Sequence, residues 1–305
     1  MTNDMLQFSN LRILIFALVL LSFTITDLFG QEPRISVAPR IGYGVQALDW
    51  SIAGNLDGTG PNIYSELIWE QIEGMNYGLQ GTVRLLPKWH IVFDGEYQQT
   101  RKGRARDTDY NSDNRTSPFY DERFSSDEGY FYNYNVSARY SLPVLGPISP
   151  RILLGYEQLG NRLFLLPMPE DTENQDLRTT YQTDWYGGRI ALELAYAYQS
   201  FYAVGSYGFS LHDYKAKANW NLIDNFEQPI SFRHSALGLK HNATLHLGYR
   251  INDIWAVELS GNYITASTNY GLDELYTRNS GTLRTRFNGA NFTQYSGALG
   301  IRVDF

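Results

Sequence analysis

The stretch ARDTDYNSDN, residues 105–114, carries the densest set of groups able to do chemistry in this 305-residue chain. Asp107 and Asp109 stand two positions apart and open a polar loop. Two acids at the mouth of a polar segment can simply be solvated or cap turns. Oxygens at alternate positions also resemble a calcium loop, but the turn glycine and terminal Glu of an EF-hand are absent. Among the imidazoles, His90 and His246 fall on polar strand faces, where membership of an interior hydrogen-bond network is expected. The chain has no cysteine, which excludes a thiol nucleophile, a zinc–thiolate centre, a disulfide framework and a lipoprotein anchor. No cofactor or metal is expected. The formal net charge is −7 and no basic run exceeds Arg101-Lys102, so nucleic acid is not an expected partner.

The elements that must position these groups are strands. From Tyr295 onward Tyr295, Gly297, Leu299, Ile301, Val303 and Phe305 alternate with Ser296, Ala298, Gly300, Arg302 and Asp304. That period gives one face suited to hydrocarbon and one suited to water or a polar interior. The pattern recurs about ten times. Ile35 to Ala47 is a first, weaker strand, followed by a loop over Leu48 to Gly60. Ile63 to Leu86 is long, with a bulge expected at Glu73-Gly74. Further strands start at Trp89, Tyr130, Arg151, Gly188, Phe201, Leu245 and Trp255. Arg101 to Asp127, Pro167 to Leu177, Leu222 to Pro229 and Gly271 to Arg284 read as polar loops. Residues 1–30 read as a processing segment: Arg12, an apolar run from Ile13 to Leu21, and Gly30 as the small residue before cleavage. That run is short for a transmembrane helix.

Two features favour an all-β, transmembrane antiparallel β-barrel of about ten strands over a soluble sandwich. Short turns at Pro87-Lys88, Pro143 to Pro150, Gln199-Ser200 and Asn252-Asp253 alternate with the long polar segments, as in outer-membrane barrels. Arg84, Glu96, Arg139, Glu193, Arg250, Glu258 and Arg302 also sit mid-strand on the polar face. Against lipid a basic residue there costs roughly 2–4 kcal/mol at the midplane; inside a barrel these charges can pair.

The order of landmarks resembles the omptin family, ten-stranded outer-membrane barrel proteases with the active site at the rim. The likeness rests on YSELIWEQ (64–71), the Pro87 turn, ARDTDYNSDN, LLGYEQ (153–158) and GLDELY, and covers most of the chain after residue 30. Omptins place an Asp-x-Asp pair opposite an Asp-x-His pair, which activates a water. The resemblance assigns the first pair to Asp107 and Asp109, and the second to Asn219 and Asn221. An amide can orient a water but cannot deprotonate it, so the general base would be missing. His212, lower on the same strand and inward by parity, takes the role only in another register. The resemblance therefore implies a non-proteolytic surface protein using its loops for adhesion or structure, with a residual omptin-type endopeptidase as the alternative. A small pore is disfavoured because ten strands enclose little space. The expected setting is a Gram-negative-type outer membrane with extracellular loops. Expected partners are membrane lipid including lipopolysaccharide, the barrel assembly machinery acting on Phe305, and an extracellular ligand.

Overall fold

Apolar–polar alternation becomes strand from Ile35 onward in the computed structural model, which describes residues 33–305. The processing segment expected over residues 1–30 lies outside them. The described residues form twelve strands: β1 (Ile35–Ile52), β2 (Ser65–Leu86), β3 (Trp89–Ser112), β4 (Thr116–Ser125), β5 (Tyr130–Ser141), β6 (Ile148–Leu165), β7 (Thr179–Tyr198), β8 (Phe201–Asn219), β9 (Phe232–Arg250), β10 (Trp255–Thr268), β11 (Gly271–Thr277) and β12 (Gly281–Asp304). Ten of them close an antiparallel ring in the order β1-β2-β3-β5-β6-β7-β8-β9-β10-β12, with β12 returning to β1. β4 and β11 prolong the staves begun by β5 and β10, pairing with β3 and with β12 and β9. The seam is sealed at its end: Arg34 N–H donates to Phe305 O and Phe305 N–H to Ile35 O, each at 2.8 Å.

About 9–11 tilted residues suffice to cross a bilayer, yet β3 and β12 have 24 each. The staves therefore stand well beyond an apolar band. Within the band Tyr77, Leu79, Ile91, Phe93, Leu154, Ile190, Leu192, Leu245, Leu259 and Leu299 are exposed on the outside. The polar residues between them point inward, where ion pairs fill the space. Arg40 meets Asp94 at 2.7 Å, Arg151 meets Glu193 at 2.7 Å, and Lys240 meets Glu157 at 2.6 Å. Glu258 accepts the Tyr202 hydroxyl, and Arg302 lies against Asp304.

Toward the long-loop end the contents of the barrel change. Trp50, Trp69, Phe131, Tyr181, Trp185, Tyr214, Phe232, Phe287 and Phe292 join Leu48, Leu67, Leu159 and Ile264 in one buried apolar core. Stacked pairs such as Trp69–Tyr181 and Phe131–Phe292, with ring centroids 5.3 and 5.5 Å apart, span the lumen.

Two segments expected as loops are largely strand, and the start of a third is strand too. β1 continues through Leu48 to Ile52, because Leu48 and Trp50 are inward core residues. Arg101 to Asp127 forms the upper half of β3, a tight turn and β4. Gly271 to Arg284 is the β11–β12 hairpin. The short turns fall where expected, and the β2 irregularity sits at Gln71 to Gly74, with Gln71 in the left-handed region (φ 52°).

Candidate functional site

Above the β2 bulge, β3 sends Ala105, Asp107 and Asp109 inward and Arg104 and Arg106 outward. Ala105 belongs to the buried core, which fixes the phase. Asp107 lies across from Leu67 on β2 and Glu122 on β4, and Asp109 across from Ser65 and Tyr120. Residues directly opposite share a face, so Asp107, Asp109, Glu122 and Tyr120 form one acidic surface on the inner side of the rim.

Asp107 is 8% exposed and accepts no hydrogen bond from the described residues. Burial, followed by the neighbouring charge of Asp109, pushes its carboxyl well above the usual range. Burial also raises Asp109, opposed by a hydrogen bond from Ser65. The Tyr120 phenol is raised by burial and then by Asp107, Glu122 and Asp109. This surface is able to hold a proton or attract a cation.

The other residues singled out by the resemblance lie on β8 or just beyond it. On β8 the inward positions are His212, Tyr214, Ala216 and Ala218, the last three being part of the core. Asn219 ends the strand across from Thr180, half-buried. Asn221 lies in the loop beyond, where Oδ1 accepts the Arg178 N–H (2.9 Å) and Nδ2 donates to Asp176 O (2.8 Å). Both bonds tie two loops together. His212 lies below the aromatic core, its side chain fully buried, with Nε2 3.2 Å from Glu157 Oε1. Tyr214 and Trp185, in edge contact at 4.5 Å, are packed in the core above it.

A carboxylate–imidazole couple does exist near the loop end, at His234 on β9 and Asp273 on β11, with Nε2 to Oδ1 at 3.1 Å. The couple is extended on both sides. His234 Nδ1 is 2.9 Å from the Tyr181 hydroxyl, which is 2.7 Å from that of Tyr214. Thr285 donates to Asp273 Oδ2 at 2.9 Å. The sequence held a signal for it: His234 keeps inward parity with Phe232, and Asp273 lies in GLDELY. Phe287 stacks on His234 at 4.3 Å and Trp50 closes its edge at 4.8 Å. Both side chains are buried, and the couple ties β11 to β9. A hollow of about 980 Å³ lies near the turn end, lined by side chains such as Ile41, Phe201, Leu247 and Leu259; no residue of the acidic surface borders it.

Comparison with known proteins fits this architecture. The model of the family described as Protochlamydia outer membrane protein matches residues 39–305. The outer membrane protease OmpT from Escherichia coli superposes with a TM-score of 0.74 at 13% identity, over 92% of this chain and 99% of that one. The outer membrane protein OprG from Pseudomonas aeruginosa matches more loosely, with a TM-score of 0.36 at 13% identity over 92% and 99% of the two chains. No curated protein sequence matches. The likeness to the protease is one of fold.

Proposed function

Because the chain belongs to the Protochlamydia outer membrane protein family, we propose that it is a closed outer-membrane barrel whose loop end is a binding surface, and that it neither conducts nor cleaves peptides. One observation carries this reading. The acidic surface of Asp107, Asp109 and Glu122 lies at the rim, while His212 and His234 are buried against Glu157 and Asp273 in a lumen filled by aromatic rings. Peptide hydrolysis needs a group that takes a proton from water, and loss of such a group typically costs about 10²–10⁴-fold. Conduction needs a continuous aqueous path, which the aromatic core interrupts and the buried Glu157–Lys240 cluster interrupts again. The long loops face outside the cell, membrane lipid including lipopolysaccharide surrounds the apolar band, and the exposed Phe305 ring is what the assembly machinery engages.

The test uses protein refolded in lipopolysaccharide and offered a library of dibasic peptides, with planar-bilayer conductance measured on the same sample. No cleavage and no stepwise conductance are expected. Cleavage that disappears in Asp107→Asn would favour an omptin-type endopeptidase, a reading that the placement of Asp107 and Asp109 supports and the burial of His212 and His234 opposes. Orientation has its own check. Tags near Asn114, Asn174 and Asn279 should be accessible on intact cells, and tags at Pro87, Leu145 and Asn252 hidden.

A further inference from the structure

We propose that the outer edge of β4 is a docking strand for an extended polypeptide with basic side chains at alternate positions, which adds to the sheet beside the Asp107–Asp109 surface. This rests on the reading of the loop end as a binding surface and names the partner's chemistry.

The first observation is an open edge. β4 pairs only with β3, and Thr116 to Arg123 are all exposed. At the base of the strand Ser125 exchanges both backbone bonds with Leu166, at 3.1 and 2.9 Å. Alternate residues of an antiparallel strand turn their backbone groups to the same side, so Asp121 and Arg123 present N–H and C=O to the edge that Ser125 fills. No described segment meets them. β6 cannot continue upward to do so, because Leu166 is followed by Pro167 and Pro169, which have no N–H to give. The place of the next strand is thus vacant along β4, and an antiparallel segment there would extend the direction of β6.

The second observation is charge. A segment in that place alternates its side chains between two faces. Residues opposite Glu122 and Tyr120 share the face of Asp107 and Asp109, and on that face β4 and β3 from Gly103 onward carry three carboxylates and no basic group. Arg104, Arg106 and Arg123 all lie on the opposite face, where Arg106 holds Asp121 at 2.6 Å. Asp107 is more than nine-tenths buried and accepts no hydrogen bond from the described residues, so its carboxyl has acceptor capacity left for an incoming donor. A lysine or arginine at positions i and i+2 supplies that donor. A second copy is a poor occupant. Side by side in one membrane, two β4 edges run the same way and set Asp121 beside Asp121 and Glu122 beside Glu122. Pro118 and Ser117, the latter at φ 53°, restrict pairing to Phe119 through Arg123, as protected edges commonly do.

The full-length protein is refolded in detergent and titrated with the peptide acetyl-(Lys-Thr)₄-amide, with (Glu-Thr)₄ as control. In the proposed register threonine N–H groups face β4 and lysine N–H groups face solvent. N-methylation at every threonine should abolish binding, whereas N-methylation at every lysine should leave it within about threefold, each lost backbone bond being worth about 1 kcal/mol. Arg123→Pro, which removes an edge N–H without touching the β3 ladder, should weaken binding about tenfold, and Arg123→Ala should not. Asp107→Asn should weaken it by a similar factor. Equal binding of both N-methylated peptides, or failure of the lysine peptide to outbind the glutamate control, overturns the proposal. Binding that falls in Asp107→Asn but ignores Arg123→Pro also overturns it, since the acidic surface would then capture cations without strand addition while the rim-binding reading stands. Cleavage of a bound peptide would leave the docking strand intact and overturn the non-proteolytic reading instead.

Discussion

The lower and upper halves of the barrel solve the same packing problem with opposite chemistry. Below, the wall shows apolar side chains outward, and the lumen holds ions: Glu157 alone gathers Lys240, Ser210 and the His212 ring within 3.2 Å. Above, Lys215 and Lys217 are exposed outward while Tyr214, Ala216 and Ala218 turn in to the aromatic core. The inversion runs along single strands. On β8, Tyr207 and Leu211 face lipid, and a few residues later the same outward parity carries Asp213, Lys215 and Lys217. What the outside touches dictates the inside. A wall bathed in hydrocarbon has its polar groups left for the lumen, and a wall bathed in water packs its centre like a soluble sandwich.

The sharpest way to break this comparison is to unpair the lower cluster. Lys240→Met leaves Glu157 buried with a weaker set of partners and should cost about 3–5 kcal/mol, read as a lower midpoint in urea titrations of the lipid-embedded barrel. Adding Glu157→Gln should recover much of the loss, as removal of both charges usually does. A loss undiminished in the double variant would mean that shape, not charge, holds the lower half. In the upper half Phe131→Leu keeps the apolar character and should cost less, about 1–1.5 kcal/mol. Neither substitution should produce conductance, because each leaves the other seal in place. Channel activity in either single variant would show that the two layers are not independent barriers.

A smaller effect sharpens the rim. Asp107 has its folded pKa raised, so the native state holds that proton more tightly than the unfolded chain does. Its contribution to stability is greatest in acid and is lost as pH rises through the folded value. Asp107→Asn should therefore stabilise the protein at neutral pH by on the order of 1 kcal/mol, and the gain should vanish as pH falls. Unfolding midpoints for the two proteins that run parallel at all pH values would contradict the burial argument. The smallest expected effect is zero. Asn219→Asp with Asn221→His should create no peptidase, because Asn219 has outward parity and Asn221 belongs to a loop clasp. Activity in that variant that depends on Asp107 would mean that the upper β8 loop re-forms around the new pair.

The inversion also explains what could be read from sequence. Alternation of the apolar-out kind located the band, the turns and the ring of ten, since Leu79, Phe93, Leu192 and Leu299 repeat it clearly. Above the band, charged outward residues such as Arg104, Arg106 and Arg123 made β3 and β4 look like solvated loop, although Ala105 and Phe124 kept the period. Asp107 and Asp109 stand out only as the Asp-x-Asp pair of the omptin resemblance, within a segment that reads as loop. His234 and Asp273 each carry a signal of their own, but their coupling does not show, because β9 and β11 are adjacent only after the sheet has formed.

The seam between β1 and β12 sets an order of events. Arg34 and Ile35 must meet Phe305, about 270 positions away, and such distant pairing is the slow step for a chain rich in non-local contacts. Until it happens, the entire length of β1 is an unpaired edge, open to any other strand in its surroundings. Folding of this barrel is therefore a race between its own last strand and a stranger's, and the cell has reason to chaperone the chain for all of that interval.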